Sequence, residues 1–273
     1  MSKDLKADLQ LAVDAARAGG ELAAQNFGRD MRVWEKAKGD PVSEIDIAVN
    51  DLIAQQLRSA RPSYGWLSEE TKDNTERLDK QRLWVIDPID GTRAYIKGRP
   101  EYCVSIACVE AGRPVVAALY DPSANEMYTA MAGGGAWRND VPLRASTHSD
   151  ALTARLVLAP DMAGHAYWPQ PWAPRSLVRP NSMALRIAWV ATGEHDLTMA
   201  LSTKQDWDLA AADLILSEAG GRMTDQDGTA LNYNAPSTGH PFVVGGAPGV
   251  HDVACAQLRG LIATYRAKHP VSR

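Results

Sequence analysis

Apolar positions fall on one stripe from about Leu5 to Phe27, with Leu5, Leu9, Ala12, Ala16 and Ala23 in phase. That spacing predicts an amphipathic helix, which Gly19 and Gly20 weaken without ending. Residues 31–42 read as a short hairpin turning at Lys38–Asp40. Ser43 is a good N-cap for a second helix over Glu44–Arg58, whose stripe is Ile45, Val49, Leu52, Ile53 and Leu57. Strands are predicted at Tyr64–Leu67, Leu83–Ile86, Tyr102–Glu110, Pro114–Tyr120 and Met127–Met131. Tight turns fall at 109–114 and Gly133–Gly135. The charged, apolar-poor stretch Glu70–Lys80 reads as a surface loop. Residues 1–145 thus predict two helices against an antiparallel sheet. The pattern changes around Ser146–Thr153. Strands at Leu156–Ala159, Leu197–Leu201 and Phe242–Gly246 alternate with helices at Asp208–Ala219 and His251–Ala267 and with Ala184–Gly193, which fits helix or strand and is read as helix. Residues 146–273 therefore predict a smaller α/β half. Asp161–Pro174 is a loop rich in tryptophan and proline.

A chain of 273 residues suits one large domain or two smaller ones. Its 45% hydrophobic and 23% charged composition disfavours disorder, collagen-like repeats and disulfide scaffolds. A net charge of −4 argues against a nucleic-acid polymer as partner. Cys103, Cys108 and Cys255 form no C-x-x-C pair. The odd separation of the first two puts them on opposite faces of a strand, as reduced, buried thiols. The N-terminus lacks an apolar leader, and no stretch has the length and apolarity to span a membrane. These readings together predict a cytoplasmic protein.

Against that frame of ordinary elements, the run L-W-V-I-D-P-I-D-G-T (Leu83–Thr92) stands out. A buried strand runs into two carboxylates three positions apart. One reading is a strand–turn–helix junction with Asp90 as a cap. The other is a metal site: hard cations take oxygen ligands, and Asp87, Asp90 and the Ile89 carbonyl supply them. The N–H groups of Gly91 and Thr92 would then suit a phosphate. Glu69 follows a predicted strand and Asp208 opens a predicted helix. Each has an alternative reading, as a loop acid and as an N-cap respectively. Three acids beside apolar runs, with no H-x-H or H-E-x-x-H spacing, point away from zinc. They point to Mg²⁺ or Mn²⁺ and metal-assisted hydrolysis.

Trp84–Thr92 (W-V-I-D-P-I-D-G-T) and Trp207–Gly221 (W-D-L-A-A-A-D-L-I-L-S-E-A-G-G) resemble the two signature segments of the inositol monophosphatase superfamily. Asp40–Asp46 (D-P-V-S-E-I-D) and Ser68–Glu70 (S-E-E) match its shorter elements in order and spacing. The resemblance covers nearly the whole chain. It implies a layered α-β-α-β-α sandwich and a phosphomonoester hydrolase using two or three Mg²⁺ ions. The metal ligands would be Glu69, Asp87, Ile89, Asp90 and Asp208. Glu69 and Thr92, with Asp46 paired to Thr92, would help activate the attacking water. Asp46 has a second reading as the closing member of a capping box with Ser43. Lys36 would add positive charge near the phosphate, or is simply solvated. A homodimer and inhibition by lithium are also implied.

Within the superfamily the resemblance leaves three small phosphorylated metabolites: 3′(2′),5′-bisphosphonucleosides, inositol phosphates and histidinol phosphate. Inositol-specific members often carry a glutamate seven residues before the W-D aspartate, and here that position is Leu201. Ser182–Arg186 is similar to the S-S-L-K segment of bisphosphate nucleotidases. Gly91, Thr92, Ser182, Arg186 and Asp208 are therefore the substrate-binding candidates. Arg186, Lys97 and Arg99 either meet a second phosphate or are surface residues, and Trp168 and Trp172 either stack on a base or pack against the domain. The sequence favours a 3′(2′),5′-bisphosphate nucleotidase acting on 3′-phosphoadenosine 5′-phosphate, with inositol-1-monophosphatase as the alternative and histidinol-phosphatase third. A carboxylate-cluster nuclease lacks its basic stripe, and a decayed, non-catalytic relative would lack one of the acids.

Overall fold

The alanine stripe folds as α1 (Lys3–Asn26) in the computed structural model, which describes residues 3–269; Met1 and Ser2 of the N-terminal segment read above lie outside them. The two glycines in α1 are points of close approach: a Cβ on Gly20 would lie 2.4 Å from the Tyr120 ring. The hairpin is β1 (Val33–Ala37) with β2 (Asp40–Ser43), and α2 covers Glu44–Ala60.

Next in the chain come β3 (Gly65–Ser68), β4 (Arg82–Asp90), the single turn α3 (Thr92–Ile96), β5 (Cys103–Glu110), β6 (Arg113–Asp121), β7 (Glu126–Met131), β8 (Ala136–Arg138) and β9 (Val141–Pro142). Strands β3 to β9 form one seven-stranded sheet in chain order. The sheet is antiparallel except at one edge, where β3 pairs with β4 in parallel. A parallel pair needs a crossover, and the segment read as a surface loop provides it. That segment contains a 3-10 turn, Glu76–Asp79, whose Arg77 is buried. Arg77 meets Asp73 at 2.9 Å and donates to Asn234 Oδ1 at 2.6 Å.

The second half holds β10 (Arg155–Val157), α4 (Pro160–Ala163), β11 (Ser176–Val178), α5 (Met183–Ala191), β12 (Leu197–Ala200), β13 (Lys204–Gln205), α6 (Asp206–Glu218), β14 (Arg222–Thr224), β15 (Gly239–His240), β16 (Val243–Gly246) and α7 (Pro248–Lys268). A mixed sheet runs β11-β10-β12-β16-β14, and β13 pairs with β15 apart from it.

Three apolar layers join these elements. Helices α1 and α2 pack on Trp84, Ile86, Ile106 and Cys108. Helices α5 and α6 pack on the other face, on Leu83, Val85, Cys103 and Ala107, and also on Val157 and Val243 of the second sheet. Helix α7 covers that sheet's far face at Leu156, Leu197 and Val244. The result is α-β-α-β-α. Both faces of β4 are covered, so Leu83–Ile86 reads as an unbroken apolar run rather than an alternation. Cys103 and Cys108 lie in different layers, as their odd spacing requires. Trp168 and Trp172 are buried edge to face, their ring centroids 5.4 Å apart, and Trp168 donates to the Met162 carbonyl at 2.7 Å. They pack, and neither offers a face to a base. No helix among the described residues is long and apolar enough to cross a membrane.

One ion pair fastens the second half. Arg155 grips Asp196 through Nη2 at 2.6 Å and Nε at 3.0 Å, while Ser146 Oγ donates to the same carboxylate at 2.5 Å. Burial pushes the Asp196 pKa up, but these donors outweigh it and hold the group at about 2. A folded pKa below the unfolded value of about 4 contributes stability above pH 4, lost as pH falls from about 4 toward 2. Asp196→Asn is expected to lower stability at pH 7 by about 2 kcal/mol and to flatten the acid limb of the unfolding curve. Urea unfolding between pH 2 and 7 checks this; parallel curves for both proteins would refute it.

Candidate active site

Strand β4 does not stop at Asp87. It bulges between Asp87 and Asp90 and pairs again with β5 at Asp90–Cys103. Asp87 Oδ1 accepts the Ile89 N–H at 3.1 Å, which tightens the bulge. Gly91 then turns the chain at φ +105°, and a Cβ there would lie 2.6 Å from the Glu101 carbonyl oxygen. Only glycine fits that turn. It starts α3, which is one turn long and so offers local N–H groups rather than a long helix dipole.

Helix α6 brings in the third acid. It begins at Asp206, so Asp208 is not the N-cap; Gln205 is, and Asp208 Oδ2 accepts the Gln205 N–H at 2.7 Å. The other face of that helix end is fixed by Asp206, which accepts from His240 Nε2 and the Asn234 N–H, both at 2.8 Å. One oxygen each of Asp87, Asp90 and Asp208 lies within 4.8 Å of the others. Burial raises the Asp87 pKa well above the carboxylate range, and the charges of Glu69, Asp90 and Asp208 raise it further. Burial, then the charge of Asp90, lifts Asp208 to about 7, against the pull of Lys204. Buried acids this close repel unless a cation sits among them. An all-oxygen set fits a hard divalent ion.

Glu69 stands beside this trio with a different partner. Lys36, from β1, places Nζ 2.8 Å from both Glu69 Oε1 and Glu70 Oε1. Burial works against the Lys36 ammonium, but Glu69 and Glu70 outweigh it and raise its pKa. Burial lifts Glu70 to about 7 despite Lys36. Arg93 Nη2 donates to the Gly39 carbonyl and so ties α3 to the tip of the Lys36 hairpin.

Asp46 makes the contacts that both of its readings require. Its Oδ2 accepts from the Ser43 N–H at 2.9 Å and from Ser43 Oγ at 2.5 Å, closing the capping box of α2. Its Oδ1 accepts from Thr92 Oγ1 at 2.8 Å. The Thr92 hydroxyl also lies 2.9 Å from the Ile89 carbonyl oxygen, although its single proton serves one acceptor at a time.

These groups open onto one cavity of about 730 Å³, lined in part by Glu69, Asp87, Ile89, Asp90, Gly91, Thr92, Arg186, Leu201 and Asp208. Ser182 corrects the sequence reading. It is fully buried, caps α5, and donates to Asp90 Oδ2 at 2.5 Å beside the Ala184 N–H at 2.6 Å. It positions a carboxylate and does not face the cavity. Lys97 and Arg99 are exposed and line no part of the cavity. Sequence reading missed Arg93, Arg179 and Lys204 in its wall. Of these only Lys204 carried a signal, as the cation four residues before Asp208.

Residues 4–269 match the profile of the inositol monophosphatase family. Inositol monophosphatase 1 of Solanum lycopersicum is 33% identical over 238 residues, covering 83% of this chain and 87% of that protein. The Nus factor SuhB of Escherichia coli K12 is 35% identical over 266 residues, covering 92% and 95%. The solved structure of the inositol monophosphatase from Anabaena superimposes with a TM-score of 0.76 at 27% identity, over 96% of this chain and all of the other.

Proposed function

The chain belongs to the inositol monophosphatase family and is a phosphomonoester hydrolase of that family; from that premise we propose that it is Mg²⁺-dependent and that its substrate carries a second anionic group, as a 3′(2′),5′-bisphosphonucleoside does. The carrying observation is Arg186. Arg186 lines the cavity, and its guanidinium donates to the Pro180 carbonyl at 2.8 Å and the Asn181 carbonyl at 3.4 Å, while the carboxylates of Asp90 and Glu101 act on it only through their charge. Burial lowers its pKa, and Arg179 in the same wall lowers it further, which the charges of Asp90 and Glu101 offset only in part. Two arginines that repel across a cavity wall are relieved by an anion between them. Leu201 supports the same reading, since an apolar side chain lines the cavity where a ring hydroxyl would need an acceptor. The second reading is inositol 1-phosphate, favoured by the names of relatives such as the inositol-1-monophosphatase of Mesorhizobium japonicum, 35% identical over 230 residues.

Glu69, Asp87, Asp90, Asp208 and the Ile89 carbonyl would hold the ions, and bound there divalent cations supply Lewis acidity and ease deprotonation of a water. The remaining work falls to the chain. Thr92 Oγ1 faces the cavity, and when its proton points to Asp46 its lone pairs accept a hydrogen bond from the attacking water; as the water's proton moves to the threonine oxygen, the threonine proton passes to the Asp46 carboxylate, which is the base. The N–H groups after the Gly91 turn meet phosphoryl oxygens. Lys36 adds a positive charge at the rim.

The test is kcat/KM in Mg²⁺ buffer for 3′-phosphoadenosine 5′-phosphate, inositol 1-phosphate and histidinol phosphate, in the wild type, Arg186→Ala and Leu201→Glu. The nucleotide is expected to win by about a hundredfold, roughly 2.7 kcal/mol. Arg186→Ala is expected to erase most of that margin, and Leu201→Glu to raise inositol phosphate turnover. A wild-type preference for inositol 1-phosphate would replace the first reading by the second.

A further inference from the structure

A second recess of about 340 Å³ lies along the edge strand β3, and none of its lining residues lines the main cavity. Its wall carries five cations, Arg58, Arg61, Lys72, Arg77 and Lys80, against the single acid Glu76. The chain as a whole is net negative, so this excess is local. Arg61 and Arg77 are already held by Asp8 and Asp73. Arg58, Lys72 and Lys80 form no ion pair among the described residues, and Arg58 lies over the face of Trp66, 6.0 Å from its ring centroid. The indole is held in place by its own N–H, which donates to Thr71 Oγ1 at 3.3 Å.

An aromatic face bordered by unpaired cations recognises a flat ring joined to an anion. The volume is at the small end of ligand cavities, which suits a ligand of one ring, one sugar and one phosphate. We propose that this recess binds a nucleoside monophosphate, with the base displacing the Arg58 guanidinium from the open side of Trp66 and the phosphate among Arg58, Lys72 and Lys80. The site communicates with the acids. Thr71, which fixes Trp66, also donates to Asn50 Oδ1 at 3.4 Å, and Asn50 accepts from Ser68 Oγ at 2.7 Å. Ser68 Oγ in turn accepts the Glu70 N–H at 3.3 Å. An occupant therefore bears on the loop that presents Glu69.

Photolabelling the full-length protein in Mg²⁺ buffer with 8-azido-AMP, followed by peptide mapping, tests this. Label is expected in the 58–80 segment, protected by excess AMP and not by ribose 5-phosphate. It should fall at least tenfold in Lys72→Glu/Lys80→Glu and persist in Arg186→Ala, while the double variant keeps its kcat/KM for the phosphatase reaction. Label confined to the main cavity's peptides, label unaffected by the charge reversals, or equal protection by ribose 5-phosphate would overturn the proposal. The main-cavity substrate reading is untouched by any of these results.

Discussion

Asp87→Asn is expected to lose Mg²⁺-dependent phosphatase activity by at least about a thousandfold, near 4 kcal/mol of transition-state stabilisation, and yet to melt higher than the wild type in EDTA. Both effects come from the same charge. Burial is the largest influence on Asp87, followed by the charges of Glu69, Asp90 and Asp208, and all of them raise its pKa. An acid whose folded pKa lies above its unfolded value contributes its full stability below the unfolded pKa, and that contribution is lost as pH rises from there through the folded value. At neutral pH without metal, Asp87 therefore opposes folding. Asparagine keeps the shape and the acceptor for the Ile89 N–H while removing the charge. A gain of a few degrees follows, at roughly 3 °C per kcal/mol for a chain of this size. In Mg²⁺ the order reverses, because a ligand bound by the folded state alone stabilises it by mass action and the variant binds less. Thermal melts with EDTA and with Mg²⁺ check the crossing. A variant that melts below the wild type in EDTA, or that retains activity, would sink the assignment of Asp87.

Thr92 and Asp46 should separate under mutation although they share a hydrogen bond. Thr92→Ala removes the hydroxyl that faces the cavity and is expected to lower kcat by about 10²–10⁴ with little change in KM. The melting temperature should barely move, since Thr92 is partly exposed and its hydroxyl serves no cap. Asp46→Asn is expected to lower kcat comparably and also to destabilise by about 1 kcal/mol. It weakens both the Thr92 contact and the capping box that Asp46 Oδ2 closes by accepting from Ser43. Thr92→Ser should recover most of the activity. Equal activity in Thr92→Ala and the wild type would show that the water is activated elsewhere.

The residues that could be read in advance are those whose reasons are local. Ser43 and Asp46 announce a helix start within four positions, and the same four residues form the observed box. The apolar run into Asp87 foretold a strand covered on both faces. What stayed hidden depends on partners far along the chain. The Glu70–Lys80 segment read as a surface loop because the acceptor that anchors its Arg77, Asn234, lies 157 residues away. Ser182 looked like a substrate contact because nothing nearby in sequence tells of Asp90, 92 residues earlier. The parallel edge pair was missed for the same reason: alternation predicts a strand, not which neighbour it takes. In the tryptophan-rich loop, indole composition fitted either an open stacking surface or a buried pair, and packing chose the pair.

The middle layer has a consequence for how this protein is made. Strands β3 to β9 are all synthesised by Pro142, but α6, which covers their inner face, starts only at Asp206. At the usual pace of about 5–20 residues per second, all the residues of that sheet are made several seconds before the helix that covers Leu83, Val85 and Ala107. The helix that ends this exposure is also the one that delivers Asp208. A ribosome that stalls in this interval therefore leaves a fragment that lacks Asp208 and has nothing to cover the apolar face of its sheet, a natural client for chaperones.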